Sequence, residues 1–579
     1  MQRIEPIILV AAVGFYALAM TSQGVLPYLE KKVTRPGVVK TIAGVTIPAV
    51  RRTELEDLGR HVYIREGCWY CHSQFVRPVN RDTDKWGPVS QAGEFTYDVP
   101  QMFGTRRIGP DLSREGNRRS DEWHYAHHWD PRATEPESMM PSYSWLFRVD
   151  AEHDQKVIAF IKRYDKNHDG RVTKSELDKN GDGVVTPDEI PPEMAALDVW
   201  PVNPDGTVGD GVIDMHDYGA VPTAEMQGVE AYLQKIGTSI GDWRTWEPWP
   251  TLTRTPPTEP LALRESRGKL IFENKCSGCH GAYGNGRTSD DAAGSRNFNA
   301  AYHFLNPQPR DFTTANYKSR TTPSGALPRD EDIFRTITRG IRKGQVMPAW
   351  GNASVGHILT EQDRWDLVDY VKTFSPRFKS EQAPASIDIP TAPYAAARDV
   401  PPDVIREGRM VYRVLQCWSC HGNTGKGNGP SAATLFDDWE VPIRPFDFST
   451  GNFKFGDSPA DVYRTFNTGL NGTPMPSFYD TILYPKEAFP DMTPWQQPGT
   501  TGRMFDDAEV KELSDYISGL PTTADLGKMS DADRKALADR RRWALVYYSL
   551  SLAKDGGQAP VPTTAGFPAA AATAALKAP

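Results

Sequence analysis

The chain has 579 residues, 39% of them hydrophobic, so it is long enough for several domains with packed cores. Glycine and proline number 48 each, above their usual combined share of about 12%, which indicates loop-rich modules. The formal charge of -8 is local: residues 150–217 hold 16 acidic and 7 basic residues, and the rest of the chain is near +1. No basic stripe is present, and nothing indicates a nucleic-acid partner.

An apolar segment opens the chain. Residues 7–20 are apolar without a break, and taken as 7–29 the segment is long enough to span a bilayer as one helix. The alternative is a cleaved signal peptide, because Ala-Leu-Ala at 17–19 resembles a cleavage site. The charged region before it is meagre, with only Arg3 and the amino terminus. We therefore expect a retained transmembrane anchor over residues 1–30.

Three copies of a Cys-x-x-Cys-His motif follow, at residues 68–72, 276–280 and 417–421. In this pattern the two thiols add to the haem vinyl groups and the histidine becomes the proximal iron ligand. A lone Cys-x-x-Cys is alternatively a redox or zinc pair. Here each pair carries its histidine, and no other cysteine remains. We predict three haem c groups, attached through Cys68, Cys71, Cys276, Cys279, Cys417 and Cys420, with His72, His280 and His421 as proximal ligands.

A methionine next to a proline follows each motif on a later loop. Such methionines are the usual sixth iron ligands of c-type cytochromes, whereas a methionine elsewhere more often fills a core. The predicted distal ligands are Met140, Met347 and Met475. The alternatives are Met139 and Met102 for the first site, His303 and His357 for the second, and Met410, Met492 and Met504 for the third.

Two further features belong to the first haem domain, residues 31–237. Gly-Pro-Asp-Leu at 109–112 is a turn that commonly offers a backbone carbonyl to the proximal histidine of c-type cytochromes. His124, His127 and His128 are iron-ligand candidates in principle, and we interpret them as polar surface near the haem or near a partner.

Residues 65–146 run from REGCWYCHSQF through IGPDLSREGN to ESMMPSYSWL. This stretch resembles the membrane-anchored mono-haem cytochrome c subunit of cbb(3)-type haem–copper oxidases. The resemblance resumes with EMQGVEAYLQKIGT at 225–238 and includes the position of the anchor helix. It implies that His72 and Met140 are axial ligands. It also implies that this haem passes electrons to an integral-membrane catalytic subunit, which holds a low-spin haem b and a haem–copper site.

An acidic insert, residues 150–217, separates the two resembling parts. Residues 165–176 and 178–189 fit the EF-hand calcium loop, and a third, irregular copy ends at residue 217. The predicted calcium ligands are Asp165, Asn167, Asp169, Arg171, Thr173, Glu176, Asp178, Asn180, Asp182, Val184, Thr186, Glu189, Asp205, Asp210, Asp214 and Asp217. The alternative is a solvated acidic loop. Only Leu177 separates the first two loops, which favours the second and third as a pair.

The second and third haem domains, residues 263–378 and 402–553, are an internal repeat of class I cytochrome c type. Their parallels are PRDF at 309–312 with RPFDF at 444–448, and residues 332–340 with 461–469. Residues 238–262 and 379–401 are predicted linkers, and 554–579 a Pro/Ala-rich tail. The pair resembles, more loosely, the di-haem subunit of the same oxidases, but the sequence contains no second membrane segment.

The predicted fold is therefore mainly α: a transmembrane helix, three cytochrome c domains and an EF-hand-like insert. His/Met-ligated haems have no open substrate site, so they move electrons. We expect an electron-transfer subunit of a bacterial inner-membrane oxidase, its bulk periplasmic because c-type haem is attached there. Its donor would be a small cytochrome c or cupredoxin, and its partner a haem–copper catalytic subunit. The alternatives are a subunit of a related nitric oxide reductase and a free-standing membrane-tethered multihaem carrier.

Overall fold

The structure is a computed structural model, and structural statements below concern the residues that it describes. These are 4–29, 39–40, 46–47, 51–79, 82–116, 118–135, 138–149, 151–166, 172–193, 202, 220–240, 254–286, 309–341, 347–351, 359–438, 440–451, 453–496, 498–499, 502–503 and 505–553.

A long apolar helix begins the described chain. It runs over Ile4–Met20, continues through a π-helical turn at Thr21–Val25 and ends with Leu26–Leu29. Its Pro6–Val25 segment has 20 residues, a mean hydropathy of 1.7 and no buried part, so it is long and apolar enough to cross a membrane. This agrees with the predicted anchor. Among the residues that the structure describes, no other helix meets this test.

Each haem module is built on two crossing helices, one before its Cys-x-x-Cys-His motif and one near its end. The pairs are Glu54–Arg65 with Ala224–Lys235, Leu261–Lys275 with Glu361–Lys372, and Pro402–Val414 with Asp531–Ser551. Side-chain caps begin several of these helices: Thr53 and Glu56 form a capping box, as do Thr360 and Asp363.

Glycine makes each crossing possible because the two backbones touch there. A Cβ on Gly59 would lie 1.7 Å from the carbonyl oxygen of Gly228. In the second module a Cβ on Gly268 would lie 2.2 Å from the Asp366 oxygen. The three modules therefore share one helix-crossing architecture.

Shorter elements fill the space between the paired helices. The first module adds helices Asp82–Trp86, Asp121–Trp129 and Pro131–Thr134, and 3₁₀ turns Cys68–Tyr70, Ala92–Phe95, Ser144–Leu146 and Thr238–Ile240. The second adds Ser277–His280, Asp330–Arg339 and Arg377–Ser380. The third adds Trp418–His421, Pro459–Thr468, Thr493–Gln496, Asp507–Ser518 and Thr523–Lys528, with 3₁₀ turns Ala432–Thr434, Phe448–Thr450 and Lys486–Ala488. Two-stranded antiparallel pairs are Val39–Lys40 with Thr46–Ile47, Phe147–Val149 with Ala220–Pro222, and Pro498–Gly499 with Gly502–Arg503.

The acidic insert leaves the first module between the strands Phe147–Val149 and Ala220–Pro222, which pair at its base. Its helices are Ala151–Tyr164 and Lys174–Leu177. Its small core contains Phe160, Val172, Leu177, Val185 and Ile190, and also Ala433 of the third module. The insert is thus docked on the third module.

After the helix Arg377–Ser380, the segment 379–401 contains no helix or strand apart from a 3₁₀ turn at Ala397–Asp399. It is held to both modules that it joins. The Ile387 amide donates to the Thr321 carbonyl at 2.8 Å. Farther along, the Tyr547 hydroxyl donates to the Tyr394 carbonyl at 2.7 Å. The predicted linker is therefore a packed connection rather than a free spacer.

Candidate haem sites

In all three motifs a backbone carbonyl faces the proximal histidine. Each Nδ1 donates to a carbonyl from the turn that follows the motif, which leaves Nε2 with its lone pair for iron. The pairs are His72 with Pro110 at 2.9 Å, His280 with Arg310 at 3.1 Å and His421 with Phe446 at 2.9 Å. The role predicted for the 109–112 turn in the first module therefore has a counterpart in the other two.

An aspartate directly after each of these carbonyls shapes the turn. Asp111 accepts from the Ser113 amide at 2.9 Å, Asp311 from the Thr313 amide at 2.8 Å and Asp447 from the Ser449 amide at 2.8 Å. Such side-chain bonds two residues ahead are a standard way to fix a turn. The Asp-Phe pair is repeated in the sequence, but this role was not predicted from it. The signal was available, because all three modules place Asp and then Leu or Phe after the carbonyl.

Burial sets the protonation of the attachment residues. It lowers the pKa of His280 to about 4, and it also lowers the pKa of His72 and His421, so all three imidazoles are neutral. It raises the pKa of Cys276 and Cys417 to about 12, so these thiols stay protonated. The six sulfurs, free thiols in the structure, stand in for the thioether sulfurs of a c-type cytochrome. Neutral sulfurs fit covalent haem, whose thioethers carry no proton and no charge.

Equivalent loops bring Met347 and Met475 to the second and third sites. Each loop begins at a glycine with positive φ, Gly340 at +68° and Gly469 at +66°, a conformation that favours glycine. The next residue then donates its amide to the carbonyl of the methionine, at 3.1 Å in both modules. The two Met-Pro segments thus begin at equivalent glycines and are closed by the same backbone hydrogen bond.

The second and third sites open into one cavity of about 890 Å³. Its walls include Cys276, Cys279, His280, Met347, Cys417, Cys420, His421 and Met475. An aromatic ring stacks on each proximal imidazole, Phe312 on His280 at 4.5 Å between centroids and Phe448 on His421 at 4.6 Å. A large, mainly apolar space with paired sulfurs, a neutral imidazole and a thioether at each end fits haem.

Among the methionines proposed for the first site, Met139 is 77% exposed, Met140 is half-buried and Met102 is buried. The exposure of Met139 argues against it as a ligand. The amide of Met140 donates to the Ser138 hydroxyl at 3.2 Å, which anchors its loop. Met140 stays the predicted ligand of this site.

The interpretation as polar surface is wrong for His124 and His128, whereas His127 is half-buried. His124 and His128 are 2% and 6% exposed and lie beside Glu115 and Tyr143 of their own module. Burial holds the pKa of His127 well below its usual range and lowers that of His128 to about 4. His124 and His128 are therefore neutral interior side chains, and His127 is a neutral, half-buried one.

Trp123 joins the first module to the second site. Its buried indole packs against Cys279 and lines the cavity, and it stacks on the imidazole of His127 at 4.5 Å and 12°. The guanidinium of Arg119 lies 4.5 Å from its ring centroid. Beside it, the helix Pro131–Thr134 lies against the motif helix Ser277–His280. The first module thus touches the cysteine side of the second site.

Comparison with known protein families agrees with the first two cytochrome c domains predicted from the sequence. Residues 25–240 match the family described as "Cytochrome C oxidase, mono-heme subunit/FixO", and residues 265–375 match the family "Cytochrome c". The chain carries a FixO-type mono-haem subunit domain and a cytochrome c domain. The FixO-type match spans the first motif and the residues on both sides of the acidic insert, as the sequence resemblance predicted.

A curated relative is the cbb3-type cytochrome c oxidase subunit FixP of Azorhizobium caulinodans. It is 27% identical over 221 residues, which are 38% of this chain and 55% of that protein, so the chain spans about half the length of this relative. A chain in the solved Kuenenia stuttgartiensis reducing HAO-like protein complex Kustc0457/Kustc0458 is 34% identical. That match covers 50% of this chain and 96% of the other, with a TM-score of 0.35.

The first two EF-hand-like loops have the same internal hydrogen bonds. Glu176 accepts from the Lys166 amide at 2.7 Å and the Thr173 amide at 2.8 Å. Glu189 accepts from the amides of Lys179 and Thr186, both at 2.9 Å. Within the described ranges, no group of three or more His, Cys, Asp or Glu is placed to hold a metal. Calcium stays a prediction, and its proposed ligands Asn167, Asp169, Arg171, Asp205, Asp210, Asp214 and Asp217 lie outside the described residues.

Proposed function

We propose that this chain is a tri-haem electron-transfer subunit of a membrane-bound cbb3-type oxidase. It would take electrons from a soluble donor, such as a small cytochrome c or a cupredoxin, and deliver them to an integral-membrane haem–copper subunit that reduces oxygen. The chain itself would carry no substrate site. Haem c supplies reversible one-electron chemistry, and the protein holds each group with two cysteines, a histidine and a methionine.

The observation that carries this proposal is the closeness of the three predicted sites to one another. The second and third sites share one cavity, and Trp123 and Glu135 of the first module line the same cavity. His127, stacked on Trp123, lies close enough to His72 for the charges of the two imidazoles to affect each other. The sites therefore follow one another in space in chain order, as a conduit from the third module to the anchored first module requires.

The surface of the first module supports a protein partner there. Its exposed large apolar side chains are Leu55, Tyr70, Val79, Val99, Phe103, Ile108, Met139 and Trp145. In the described part of the third module, no large apolar side chain is exposed. Apolar side chains exposed on one module and not on another are consistent with a partner that covers the first. Together with the apolar helix Ile4–Met20, it favours an integral-membrane partner beside the first module.

The experiment is purification of the native complex through a tag on this chain, in mild detergent. We expect about three haem c per chain, b-type haem and copper from the partner, and oxygen consumption driven by a reduced donor. Copper-free material that reduces nitric oxide would favour the reductase alternative. A chain that elutes alone, without b-type haem, would favour the free-standing carrier. Protease accessibility of the third module in right-side-out spheroplasts tests the periplasmic orientation.

We further propose calcium in the loops 165–176 and 178–189, with a structural role. Their shared hydrogen bonds and the common core residues Val172 and Val185 support these two loops as the pair. This differs from the expectation that the second and third loops pair. The docking contact supports a structural role, since the Lys174 amide donates to the Glu440 carbonyl of the third module at 3.0 Å.

A further inference from the structure

Two lysines occupy the same position in the repeat and reach the same cavity. In the second module DFTTANYK covers residues 311–318, and in the third DFSTGNFK covers 447–454. The last residues, Lys318 and Lys454, both line the cavity that the two haem sites share. The preceding aromatic residues also correspond, and Phe312 and Phe448 stack on the two proximal histidines. Each of the two repeated modules thus contributes one lysine to the shared cavity.

Lys318 sits in a cationic environment. Its side chain is half-buried and lines the cavity. Burial, then the charges of Arg310 and Lys454, hold the pKa of Lys318 well below its usual range, and Asp437 and Asp438 offset only part of this. Among the described residues, no carboxylate lies within ion-pair distance of its amino group.

The carboxylates that line the same region are engaged elsewhere. Asp311 and Asp447 accept hydrogen bonds within their own turns, at 2.8 Å each. Asp437 accepts from the Val441 amide at 3.0 Å. A buried ammonium is costly unless an anion pairs with it. The cavity is therefore built to receive a negative charge.

We propose that Lys318 and Lys454 bind the propionate carboxylates of the haem groups in the second and third modules. The inference rests on the proposed presence of these two haems, but not on the partner or on oxygen reduction. Haem carries its propionates on the edge opposite the vinyl groups, which the cysteines anchor. In the second module the cysteine edge faces Trp123 of the first module, so the opposite edge points away from that module. Lysines from both repeats then neutralise the propionates where the two haem groups approach each other.

The test uses the full-length holoprotein and three charge-removing variants: Lys318→Gln, Lys454→Gln and, as control, Lys379→Gln. Lys379 is exposed in the helix Arg377–Ser380, at the end of the second module, and does not line the cavity. A positive charge near haem disfavours the ferric form. Its removal should therefore shift the ferric–ferrous equilibrium of the nearer haem toward ferric, roughly tenfold. Spectroelectrochemistry measures this shift, and the propionate bending bands in resonance Raman spectra should move in the same variants. Lys318→Arg should retain both properties, and Lys379→Gln should leave them unchanged.

Pyridine haemochrome analysis of the unaltered chain separates the two proposals. Fewer than three haems would overturn the proposed tri-haem function. Three haems with potentials and propionate bands that are the same in Lys318→Gln, Lys454→Gln and the control would overturn the lysine assignment alone. Potentials that follow the phosphate concentration of the buffer while the propionate bands stay fixed would also overturn it, because the lysines would then hold a free anion. If Lys318→Gln fails to assemble with haem, the potentials and propionate bands of Lys454→Gln and Lys318→Arg test the lysine assignment instead.

Discussion

Gly408 lies at the helix crossing of the third module, and replacing it with alanine should destabilise that module. A Cβ there would lie 2.0 Å from the Ala544 carbonyl oxygen and 2.6 Å from its carbon. Ordinary van der Waals contact begins at 3.4 Å, so the backbones would have to separate by about 1.4 Å. The obstacle is helix backbone and cannot rotate away. Overpacking of this kind costs about 3 kcal/mol at the upper end of its usual range.

Alanine also gains helix propensity over glycine, by about 1 kcal/mol. The net destabilisation of Gly408→Ala is then about 2 kcal/mol, which for a module of this size lowers the Tm by about 4–8 °C. The matched control is Gly527→Ala, in the helix Thr523–Lys528 of the same module. Nothing lies within 4 Å of its Cβ position, so only the propensity gain remains and the Tm should rise slightly.

Limited proteolysis across a temperature ramp, with mass spectrometry of third-module peptides, follows this module within the whole chain. Opposite signs for the two variants are the expected result. Equal shifts for Gly408→Ala and Gly527→Ala, or no shift for either, would refute the reasoning that the crossing depends on backbone contact at Gly408.

Three further changes test the first module and the insert. Gly109→Ala places a Cβ 2.3 Å from Cε1 of His72, so the first haem should lose its low-spin ferric EPR signal while the others keep theirs; an unchanged spectrum contradicts the turn's role. Burial, then Asp121, raises the pKa of Glu230 from 4.5 to about 9. The folded protein therefore loses stability as the pH rises from 4.5 to 9, because the buried carboxyl resists ionisation while the unfolded one does not. Glu230→Gln should raise the Tm at pH 8 but not at pH 4. Glu189→Gln should weaken calcium binding in isothermal titration of the whole chain, and calcium should raise the Tm of the unaltered chain; no heat of binding in either protein would refute the calcium proposal.

Local requirements made much of the site predictable. Covalent attachment of haem needs two thiols and a histidine within five consecutive residues. Residues 68–72 therefore indicate haem attachment whatever fold surrounds them. The carbonyl for His72 was predictable for the same reason, since the 109–112 turn is a local conformation. The apolar N-terminal helix was predictable for a similar reason, since an apolar stretch of this length is itself a local signal.

Long-range packing decided what the sequence could not. His124 and His128 are polar by composition, yet both are buried, His124 beside Glu115 and His128 beside Tyr143 of the same module. Trp123 of the same helix packs against Cys279 of the second module, and nothing in residues 121–129 encodes that contact. The contact between the insert and the third module joins Lys174 to Glu440, which are far apart in the chain. Such contacts depend on the shapes of two folded surfaces and leave no periodic signal in either segment.

The sequence by itself therefore determined the cofactor chemistry, the apolar N-terminal helix and the repeated module, because each is specified within a short stretch of chain. Only the tertiary structure decided that the second and third sites share one cavity, that Trp123 touches the cysteine side of the second site and that Lys318 and Lys454 converge. These are relations between modules. They arise from the burial of one folded surface against another, and that burial is fixed only when all the modules are in place.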